Sequence, residues 1–460
     1  MTKLPSFSAT QIEGLYSISL DQRPDSRGWF QEVWQKEKWS DTPLSNFMPV
    51  QQNASFNFRA GSTRGLHAEP WNKLVTVVSG LAFCAWVDLR EGPNFGRTHW
   101  SEMFPGRAYF VPKGVANGYQ ALEDNTVYTY LVDSHWSSDG HYSSVNLFDS
   151  DLGIPWPISA NECELSNKDL GNPQLRECHP FKAKRIAVVG FTGQVGKALS
   201  QVFSDSEQID KSELGRHSLE VFDYTLNAAA FTRVDDAEDN TNSKEVFSAN
   251  HGLVRELAKK TSSTGSVLIH FSSDYVFDGS KIGEWTEADS PSPISKYGLS
   301  KLLGDYAASQ NPRHYIIRTS WVFGKGSNFV RTMFEKAINN QNVLVVSDQW
   351  GRPTSADDLA LFTKHLVETN QPYGTYNFSG SGELTTWYDL ARIIYEQVGS
   401  DPNLVTPIST QEFLRTNPKS ASRPQNSGLS LVKATASGFE PPGWKDSVTR
   451  YLLELQATRG

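Results

Sequence analysis

The sequence predicts two domains in one chain: an all-β sandwich or barrel, followed by an α/β domain with a doubly wound parallel sheet. Three observations support this. The chain has 460 residues, which is longer than a typical single domain. Up to about residue 151, short runs of aromatic and β-branched residues are separated by Gly, Pro, Asn and Asp, as in all-β proteins. From residue 185 onward, apolar strands alternate with helical patterns.

The composition argues against several classes of function. A net charge of −8 and a pI near 5.7 argue against general nucleic-acid binding. The N-terminus lacks a signal pattern, and no apolar run reaches the roughly 18 residues that span a bilayer. Cys84, Cys163 and Cys178 have no CxxC spacing and read as reduced thiols. We therefore predict a cytoplasmic protein without nucleic-acid or membrane partners, and no ligand cluster indicates a metal site.

The first part of the chain carries strand signals and three polar clusters. Residues 73–90 predict two strands around a turn at Ser79-Gly80, and residues 107–112 and 125–133 continue the pattern. The polar clusters are residues 25–32, 62–67 and 165–169. A lone histidine in a β domain is most often structural, so His67 matters mainly as a member of this set.

The joint between the two parts is rich in proline. Residues 151–184 contain four prolines and little periodicity, which predicts an extended tail and then a linker. The predicted boundaries are a first domain at 1–170, a linker at 171–184 and a second domain at 185–460.

The second domain opens with a pattern typical of dinucleotide binding. The apolar strand at residues 185–189 leads into a turn with Gly190, Gly193 and Gly196, and a helical segment follows. Glycines at such positions let the main chain approach a pyrophosphate at a helix N-terminus. A glycine run alone is weak evidence, but the strand before it and the helix after it strengthen the prediction.

A possible catalytic group follows further along the chain. Residues 267–271 predict a buried strand, so Ser272 and Ser273 emerge at its carboxyl end. Tyr297 and Lys301 are four residues apart, which places them on one face of a helix. An adjacent ammonium is expected to lower the pKa of a phenol, and such a phenol can protonate a carbonyl oxygen while a hydride reaches the carbon. Tyr-x-x-x-Lys alone is more often an exposed turn of a helix than a catalytic pair. The neighbouring motifs therefore decide whether this pair is catalytic.

The remaining elements complete the alternating pattern. Further strands are predicted at residues 315–324 and 343–348. A capping-box pattern at residues 386–389 predicts the start of a helix, and the apolar stripe on that helix indicates core packing.

Six motifs of the first part are residues 25–32, Arg64-Gly-Leu-His67, Val87-Asp-Leu-Arg90, residues 111–118, Leu152-Gly-Ile-Pro-Trp-Pro157 and residues 165–169. On these motifs, roughly residues 8–170 resemble the dTDP-4-dehydrorhamnose 3,5-epimerase family, which folds as a jelly-roll of the cupin type. The resemblance implies that His67 removes a proton next to a 4-keto group and that Asp169 orients its imidazole. It also implies that Arg64 and Lys73 stabilise the enolate, where oxyanion charge develops. The other implied substrate contacts are Arg27, Glu32 and Tyr130.

Two departures from this family bear on activity. Asn117 stands where the family has a second histidine, and Trp136 stands where a tyrosine is expected to reprotonate the opposite face of the ring. A tryptophan has no acidic hydroxyl to give. A single epimerisation, or a domain that only binds a sugar nucleotide, therefore remains open beside double epimerisation.

The motifs of the second part are Gly190-x-x-Gly193-Gln-x-Gly196, residues 227–230, residues 272–279, Tyr297–Lys301, residues 318–322, residues 328–330, residues 348–354 and Arg423-Pro424. On these motifs, the segment from about residue 185 to the end looks like dTDP-4-dehydrorhamnose reductase, an extended short-chain dehydrogenase with a Rossmann fold. The resemblance implies that Tyr297 donates a proton to O4, that Ser273 hydrogen-bonds the carbonyl, and that Lys301 tunes Tyr297 and holds the nicotinamide ribose. The implied contacts with the nucleotide sugar are Trp321, Arg352 and Arg423.

The same resemblance implies NADPH or NADH as the coenzyme. The implied coenzyme contacts, besides Tyr297 and Lys301, are Gly190, Thr192, Gly193, Gln194, Val195, Gly196, Ala228 and Ala229. Between Gly196 and Asn227 the chain is shorter than the family's usual second βα unit, and residues 208–214 read as a poor substitute for a strand that ends in an acidic ribose anchor. The choice between NADPH and NADH therefore stays open, and Arg216 is weighed as a 2′-phosphate contact against an exposed salt bridge.

The leading hypothesis is a bifunctional enzyme of dTDP-L-rhamnose synthesis that acts on a dTDP-4-keto-6-deoxy sugar. It would epimerise C3 and C5 and then reduce the 4-keto group. One alternative is a reductase with an inactive, sugar-nucleotide-binding β domain, and another is a non-catalytic NADP-binding regulatory subunit. The resemblance also favours a homodimer.

Overall fold

The computed structural model describes residues 5–39, 42–45, 47–134, 142–182, 184–214, 219–369 and 371–458. The chain divides into two compact units, Met1–Ala183 and Lys184–Gly460. Among the described residues, none of the helices combines the length and the apolar character that crossing a bilayer requires.

The first unit consists mainly of β-strands. Its strands are β1 (Ser6–Ala9), β2 (Tyr16–Ser19), β3 (Gln22–Asp25), β4 (Gly28–Gln31), β5 (Gln51–Asn57), β6 (Thr63–Ala68), β7 (Lys73–Ser79), β8 (Ala82–Asp88), β9 (Thr98–Met103), β10 (Arg107–Val111), β11 (Val115–Ala121), β12 (Thr126–Val132) and β13 (Ser143–Val145). Its helices are α1 (Lys36–Trp39) and α2 (Asn167–Leu170).

Two antiparallel sheets face each other and form the predicted cupin-type jelly-roll. One has the order β1-β2-β10-β7-β12-β5 and the other β13-β6-β11-β8-β9, while β3 and β4 form a separate hairpin. The core between the sheets includes Val75 and Val77 from the first sheet and Cys84 and Trp86 from the second. Every residue of β8 is buried, since the outer face of its sheet is covered as well.

The cover on that outer face includes the stretch predicted to be a linker. Leu175 and Cys178 pack against a buried cluster that contains Leu66 and Leu89. Phe181 is buried, and its N–H donates to the carbonyl oxygen of Leu89 at 2.6 Å. Residues 171–182, which the sequence predicts to be part of a linker at 171–184, therefore pack within the first unit. Scattered apolar residues without periodicity can cover a sheet as an irregular segment, so the lack of a helical or strand pattern did not reveal this packing.

The second unit alternates strands and helices. Its strands are β14 (Ile186–Val189), β15 (Glu207–Ile209), β16 (Tyr224–Asn227), β17 (Val267–Ser273), β18 (His314–Thr319), β19 (Val322–Phe323), β20 (Val343–Val346), β21 (Trp350–Gly351), β22 (Thr354–Ser355), β23 (Gly374–Phe378), β24 (Thr385–Thr386) and β25 (Val405–Ile408). Its helices are α3 (Gln194–Val202), α4 (Ser243–Phe247), α5 (Leu253–Thr264), α6 (Lys296–Ala308), α7 (Phe329–Ile338), α8 (Ala356–Thr369), α9 (Trp387–Gln397), α10 (Thr410–Thr416), α11 (Val432–Ala436) and α12 (Trp444–Ala457).

A six-stranded parallel sheet with the order β15-β14-β16-β17-β18-β23 forms the predicted Rossmann-type core. One face packs against α3 and α8 through Leu199 and Leu359, and the other packs against α5 and α6 through Leu257 and Ala308. The strand order reverses between β14 and β16. In such sheets ligands bind at the carboxyl ends of the strands beside this reversal, which is where the glycine turn lies.

Strand β15 corrects one expectation from the sequence. It is short but pairs in parallel with β14, and it ends at Ile209, directly before Asp210. The stretch that reads poorly as a strand therefore does form one, and it does end in a carboxylate. Only Ile209 of its three residues is buried, which explains why hydrophobic periodicity did not detect it.

A second layer, built from the later part of the chain, packs beside the sheet. Helices α7, α9 and α12 share a core with β20 and β25 through residues such as Phe334, Ile394 and Tyr451. The predicted cap is confirmed, because Thr386 Oγ1 accepts a hydrogen bond from the N–H of Asp389 at 3.0 Å.

Candidate active sites

A β-bulge places Arg64 and His67 on the same face of β6. His67 pairs with Asn117 of β11 and Arg64 pairs with Tyr119, so three steps along β6 match two steps along β11. Without the bulge, residues three apart would point to opposite faces of the sheet. Tyr119 belongs to the core between the two sheets. Both side chains therefore face the space between the sheets.

His67 and Asp169 form a close pair. The distance between His67 Nε2 and Asp169 Oδ1 is 2.6 Å, and Asp169 Oδ2 accepts a hydrogen bond from Ser166 Oγ at 2.9 Å. Ser166 also caps α2, which fixes the position of Asp169 in the first turn. Gly65 leaves room for this pair, since a Cβ there would overlap Asp169 Oδ1 and lie 2.9 Å from His67 Nε2.

The facing sheet contributes Lys73 and Tyr130. Lys73 lies two residues before the core residue Val75 on β7, so both side chains point to the inner face of the sheet. Its ammonium lies 5.3 Å from the centroid of the Tyr130 ring and forms an ion pair with Glu69 at 2.6 Å. Burial, followed by the charge of Glu69, raises the pKa of Tyr130, and the charge of Arg64 lowers it. The charge of Arg64 on one sheet therefore acts on Tyr130 on the other. We call the space between these side chains and His67 the pocket of the first unit.

Not every predicted residue joins this pocket. Arg27 lies on the β3–β4 hairpin with its ion pair to Asp25, and Glu32 pairs with Lys38. Neither has a hydrogen bond or ion pair to the His67 group among the described residues. Asn117 lies opposite His67, and its Oδ1 accepts from the Tyr128 hydroxyl at 2.8 Å. Trp136 lies outside the described residues.

The glycine turn of the second unit fits the close approach of a phosphate. Gly190 has φ +80°, and a Cβ there would lie 2.6 Å from the main chain of Ala229. A Cβ at Gly196 would overlap the carbonyl oxygen of Gly190. Gly193 starts α3 without a side-chain cap, so the first N–H groups of that helix are free of side-chain partners. These features suit the pyrophosphate of a dinucleotide.

The other predicted coenzyme contacts surround this turn. Thr192 is exposed at its tip, and Val195 packs against the core under α3. Gln194 Nε2 donates to the carbonyl oxygen of Ser327 at 3.1 Å. Ala228 and Ala229 follow β16 directly, and the Ala228 N–H donates to Val189 at the end of β14. The residues therefore meet at the strand reversal.

Tyr297 and Lys301 lie one turn apart on α6, as predicted, and both are buried. Ser295 caps this helix by accepting from the N–H of Gly298. The Lys301 ammonium donates to the carbonyl oxygen of Phe271 on β17 at 2.6 Å. Burial lowers the pKa of Lys301 to about 8, while the charge of Asp305 opposes this effect.

The predicted effect of Lys301 on Tyr297 is wrong. Burial is the largest cause and raises the pKa of Tyr297, the charge of Asp274 raises it further, and a hydrogen bond with Ser273 lowers it. The Lys301 ammonium donates instead to the main-chain carbonyl oxygen of Phe271. Tyr297 is therefore held in its protonated form, which suits a proton donor.

The three residues predicted around the nucleotide sugar have different environments. Trp321 has φ +47°, which is uncommon outside glycine, and stacks on Trp387 with ring centroids 3.7 Å apart. Arg423 binds both carboxylate oxygens of Asp235 at 2.8 and 2.9 Å. Arg352 is buried, pairs with Glu284 at 2.8 Å and donates to the carbonyl oxygens of Gly382 and Leu429. These bonds join Arg352 to the loops of Glu284, Gly382 and Leu429, and its contact with the nucleotide sugar stays a prediction.

Sequence reasoning missed three acidic residues of these sites. Glu69 pairs with Lys73, Asp274 accepts a hydrogen bond from Ser273, and Asp210 directly follows β15. The signal for Asp210 was its position 20 residues after Gly190, which is the spacing of an acidic ribose anchor. Arg216 lies outside the described residues. No group of three or more His, Cys, Asp or Glu that could hold a metal occurs in the part of the chain that the structure describes.

Comparison with known proteins matches each unit separately. The dTDP-4-dehydrorhamnose 3,5-epimerase family matches residues 9–177, and the RmlD substrate binding domain family matches residues 184–457. A dTDP-4-dehydrorhamnose reductase from Sinorhizobium fredii is 36% identical over 298 residues, which cover 59% of this chain and 97% of the relative. An RmlC homolog from Streptococcus pyogenes is 40% identical over 183 residues, which cover 38% of this chain and 92% of the relative.

Solved structures give the same match for the second unit. A dTDP-4-dehydrorhamnose reductase from Clostridium acetobutylicum is 33% identical with a TM-score of 0.54, and covers 59% of this chain and 99% of its own. The reductase from Bacillus anthracis, solved in complex with NADP, is 30% identical with a TM-score of 0.54 and the same coverage. The chain therefore belongs to two families at once, the dTDP-4-dehydrorhamnose 3,5-epimerase family in its first unit and the RmlD substrate binding domain family in its second.

Proposed function

We propose that this chain catalyses two consecutive steps of dTDP-L-rhamnose synthesis. The first is the 3,5-epimerisation of dTDP-4-dehydro-6-deoxyglucose, and the second is the NAD(P)H-dependent reduction of its 4-keto group. The observation that carries the proposal is that one chain holds both a His67–Asp169 pair at 2.6 Å and a buried Tyr297 and Lys301 one helical turn apart. Membership of both families supports the same pair of activities.

In the epimerase step, His67 is the base. With its Nε2–H donating to Asp169, its Nδ1 carries the lone pair that takes a proton from the carbon next to the ketone. The resulting enolate needs positive charge near its oxygen, and Arg64 and Lys73 supply it from the two facing sheets. Glu69 neutralises part of the charge of Lys73, so we assign the larger share to Arg64.

Tyr130 is our candidate for the acid that returns the proton from the opposite side. It lies on the sheet that faces His67, so a sugar ring between the sheets would have His67 on one side and the phenol on the other. Its raised pKa keeps the hydroxyl protonated near neutral pH. This assignment does not depend on Trp136.

In the reductase step, the coenzyme supplies the hydride to C4. Tyr297 gives its proton to the ketone oxygen, and Ser273 is the second hydrogen-bond donor to that oxygen. Lys301, anchored on Phe271, would hold the nicotinamide ribose of the bound coenzyme. Arg423, Trp321 and Arg352 are the proposed contacts with the nucleotide sugar, and Arg352 also joins loops.

For the coenzyme, we propose that the adenosine ribose lies at the end of β15. Asp210 directly follows Ile209, which pairs with Val189 and accepts a hydrogen bond from the N–H of Gly190. A carboxylate there accepts a hydrogen bond from the 2′-hydroxyl of NADH and repels the 2′-phosphate of NADPH. We therefore expect this chain to use NADH efficiently, although a relative binds NADP.

A coupled assay tests the function. The keto sugar nucleotide is supplied before epimerisation, and coenzyme oxidation is followed with and without a separate epimerase. Oxidation without added epimerase supports the bifunctional enzyme. If oxidation requires the added epimerase, the first unit is inactive, and Asn117 and Trp136 are the two departures from the family to test first. No oxidation in either case favours the regulatory alternative.

Isotope exchange tests the first step alone. In deuterated water, the parent chain is expected to incorporate deuterium at C3 and C5. His67→Asn should abolish incorporation at both carbons, while Tyr297→Phe should leave it unchanged because Tyr297 belongs to the other unit. Deuterium at only one carbon would limit the first unit to a single epimerisation.

We also propose a cytoplasmic homodimer. The three cysteines are free thiols, which fits a reducing compartment. On the β3–β4 hairpin, Phe30 and Trp29 are exposed large apolar side chains, and Arg27 does not contact the pocket of its own unit. Light scattering of the purified chain is expected to give twice the mass of 51.3 kDa, and the monomer mass would contradict this part of the proposal.

A further inference from the structure

Ser273 has one hydroxyl proton, and that proton is directed at Asp274. Ser273 Oγ donates to Asp274 Oδ1 at 3.0 Å and accepts from the N–H of Tyr275 at 3.2 Å. Because a hydroxyl has one proton and two lone pairs, this arrangement leaves Ser273 with nothing to donate to a ketone oxygen.

Asp274 is a buried carboxyl. It lies at the start of a 3-10 turn, Asp274–Val276, that Ser273 caps. Only 2% of its surface is exposed. Burial raises the pKa of Asp274 to about 6, although hydrogen bonds with Ser427 and Ser273 oppose this effect. Asp274 therefore exchanges its proton in the range where the enzyme is assayed.

We propose that Asp274 is a positioning residue that decides where the proton of Ser273 points. As a carboxylic acid it donates to Ser273 Oγ. The two lone pairs of Ser273 are then occupied by Asp274 and the Tyr275 N–H, so the hydroxyl proton of Ser273 is free to be donated to the ketone oxygen beside that of Tyr297. As a carboxylate it withdraws the Ser273 proton. This proposal rests on the proposed reductase function.

The other titratable groups around this site limit the interpretation of a pH profile. Tyr297 approaches from α6, and Tyr275 packs edge-on against it with ring centroids 5.4 Å apart. Arg423 and Asp235 act on Tyr275 from two loops. Neither tyrosine titrates near pH 6, because burial raises the pKa of both. Lys301 titrates near pH 8 and is separated from Asp274 by two pH units.

The test is the pH dependence of kcat/KM for reduction, which reports groups of the free enzyme. Assays from pH 5.5 to 9 contain an excess of separate epimerase, so that reduction alone is measured. For the parent chain we expect kcat/KM to fall as pH rises past about 6, by up to about tenfold per pH unit. Asp274→Asn should remove this fall, while the change near pH 8 from Lys301 remains.

Two further variants keep the test sharp. Ser273→Ala should reduce the rate and also remove the fall near pH 6, because no Ser273 proton is left to redirect. Asp278→Asn is the matched control, since Asp278 lies four residues further along and bonds to Ser280. It should keep the parent profile.

The outcomes separate the two proposals. A fall near pH 6 that survives in both Asp274→Asn and Ser273→Ala, or its absence in the parent, overturns the role of Asp274. Binding of NADH to each variant, measured by fluorescence, shows whether the second unit is folded. If Asp274→Asn does not fold, the pH profile of Ser273→Ala decides the test. A parent chain that reduces no keto sugar at any pH overturns the proposed function and this role with it.

Discussion

At the scale of single residues, the His67–Asp169 pair depends on the missing side chain of Gly65. A Cβ at Gly65 would overlap Asp169 Oδ1, so Gly65→Ala must displace the carboxylate from the imidazole. We expect deuterium exchange at C3 and C5 to fall by about 100-fold or more, the usual contribution of a well-placed base. Reduction of the epimerised substrate should be unchanged, because Gly65 belongs to the other unit.

Gly171→Ala is the control for this prediction. Gly171 follows Asp169 closely, has an ordinary φ of −86°, and its added Cβ would meet nothing nearer than 3.6 Å. It should keep the parent rate of exchange. Equal rates in Gly65→Ala and the parent would show that Asp169 does not serve His67.

The buried Lys301 makes a second prediction at this scale. Its pKa is lowered from 10.5 to about 8, so the folded protein releases this proton before the unfolded chain does. The positive charge is therefore present below pH 8 and lost above it. We expect kcat/KM for reduction to fall as pH rises through about 8, and any activity of Lys301→Arg to lack this fall. A flat profile up to pH 9.5 would contradict the role of Lys301.

At the scale of elements, β15 decides the choice of coenzyme. Asp210→Ala removes the carboxylate from the end of this strand and with it the repulsion of a 2′-phosphate. We expect the ratio of kcat/KM with NADPH to that with NADH to rise by about tenfold. Glu213→Ala is the control, since Glu213 is an exposed carboxylate three residues further on. An unchanged ratio in Asp210→Ala would place the ribose elsewhere.

The elements also show how far the sequence could predict the molecule. Strong local patterns predicted structure correctly. The glycine turn predicted the strand β14 and the helix α3, and the spacing of Tyr297 and Lys301 predicted one turn of α6. Sequence patterns did not predict the segments whose structure depends on tertiary contacts. The three-residue β15 has too few apolar residues to show a period, and residues 171–182 pack on the first unit without any period.

The electrostatics of the sites were the least predictable from sequence. From the spacing alone we expected the ammonium of Lys301 to lie beside the phenol of Tyr297. The pKa of the phenol depends, however, on where the side chains point and on how deeply they are buried. The Lys301 ammonium points to the carbonyl oxygen of Phe271, and burial together with the charge of Asp274 raises the pKa of Tyr297. The bulge in β6 that places Arg64 and His67 on one face could not be predicted either, because Gly65 is its one visible sign in the sequence.

At the scale of the whole molecule, each unit has its own hydrophobic core and its own complete group of proposed catalytic residues. No covalent bond to the protein is needed between the two proposed steps, so the epimerised ketone is free to leave one chain and reach another. Two inactive variants with defects in different units should then complement each other in a mixture.

We therefore expect His67→Asn and Tyr297→Phe chains to be inactive alone in the coupled assay and active when mixed. Coenzyme oxidation in the mixture should begin after a lag that shortens as the concentration of the Tyr297→Phe chain rises, because that chain supplies the epimerised ketone. A chain with both substitutions is the control and should not rescue either partner. If the mixture stays inactive while a separate epimerase rescues His67→Asn, the ketone made by this protein is passed on only within the chain or assembly that makes it.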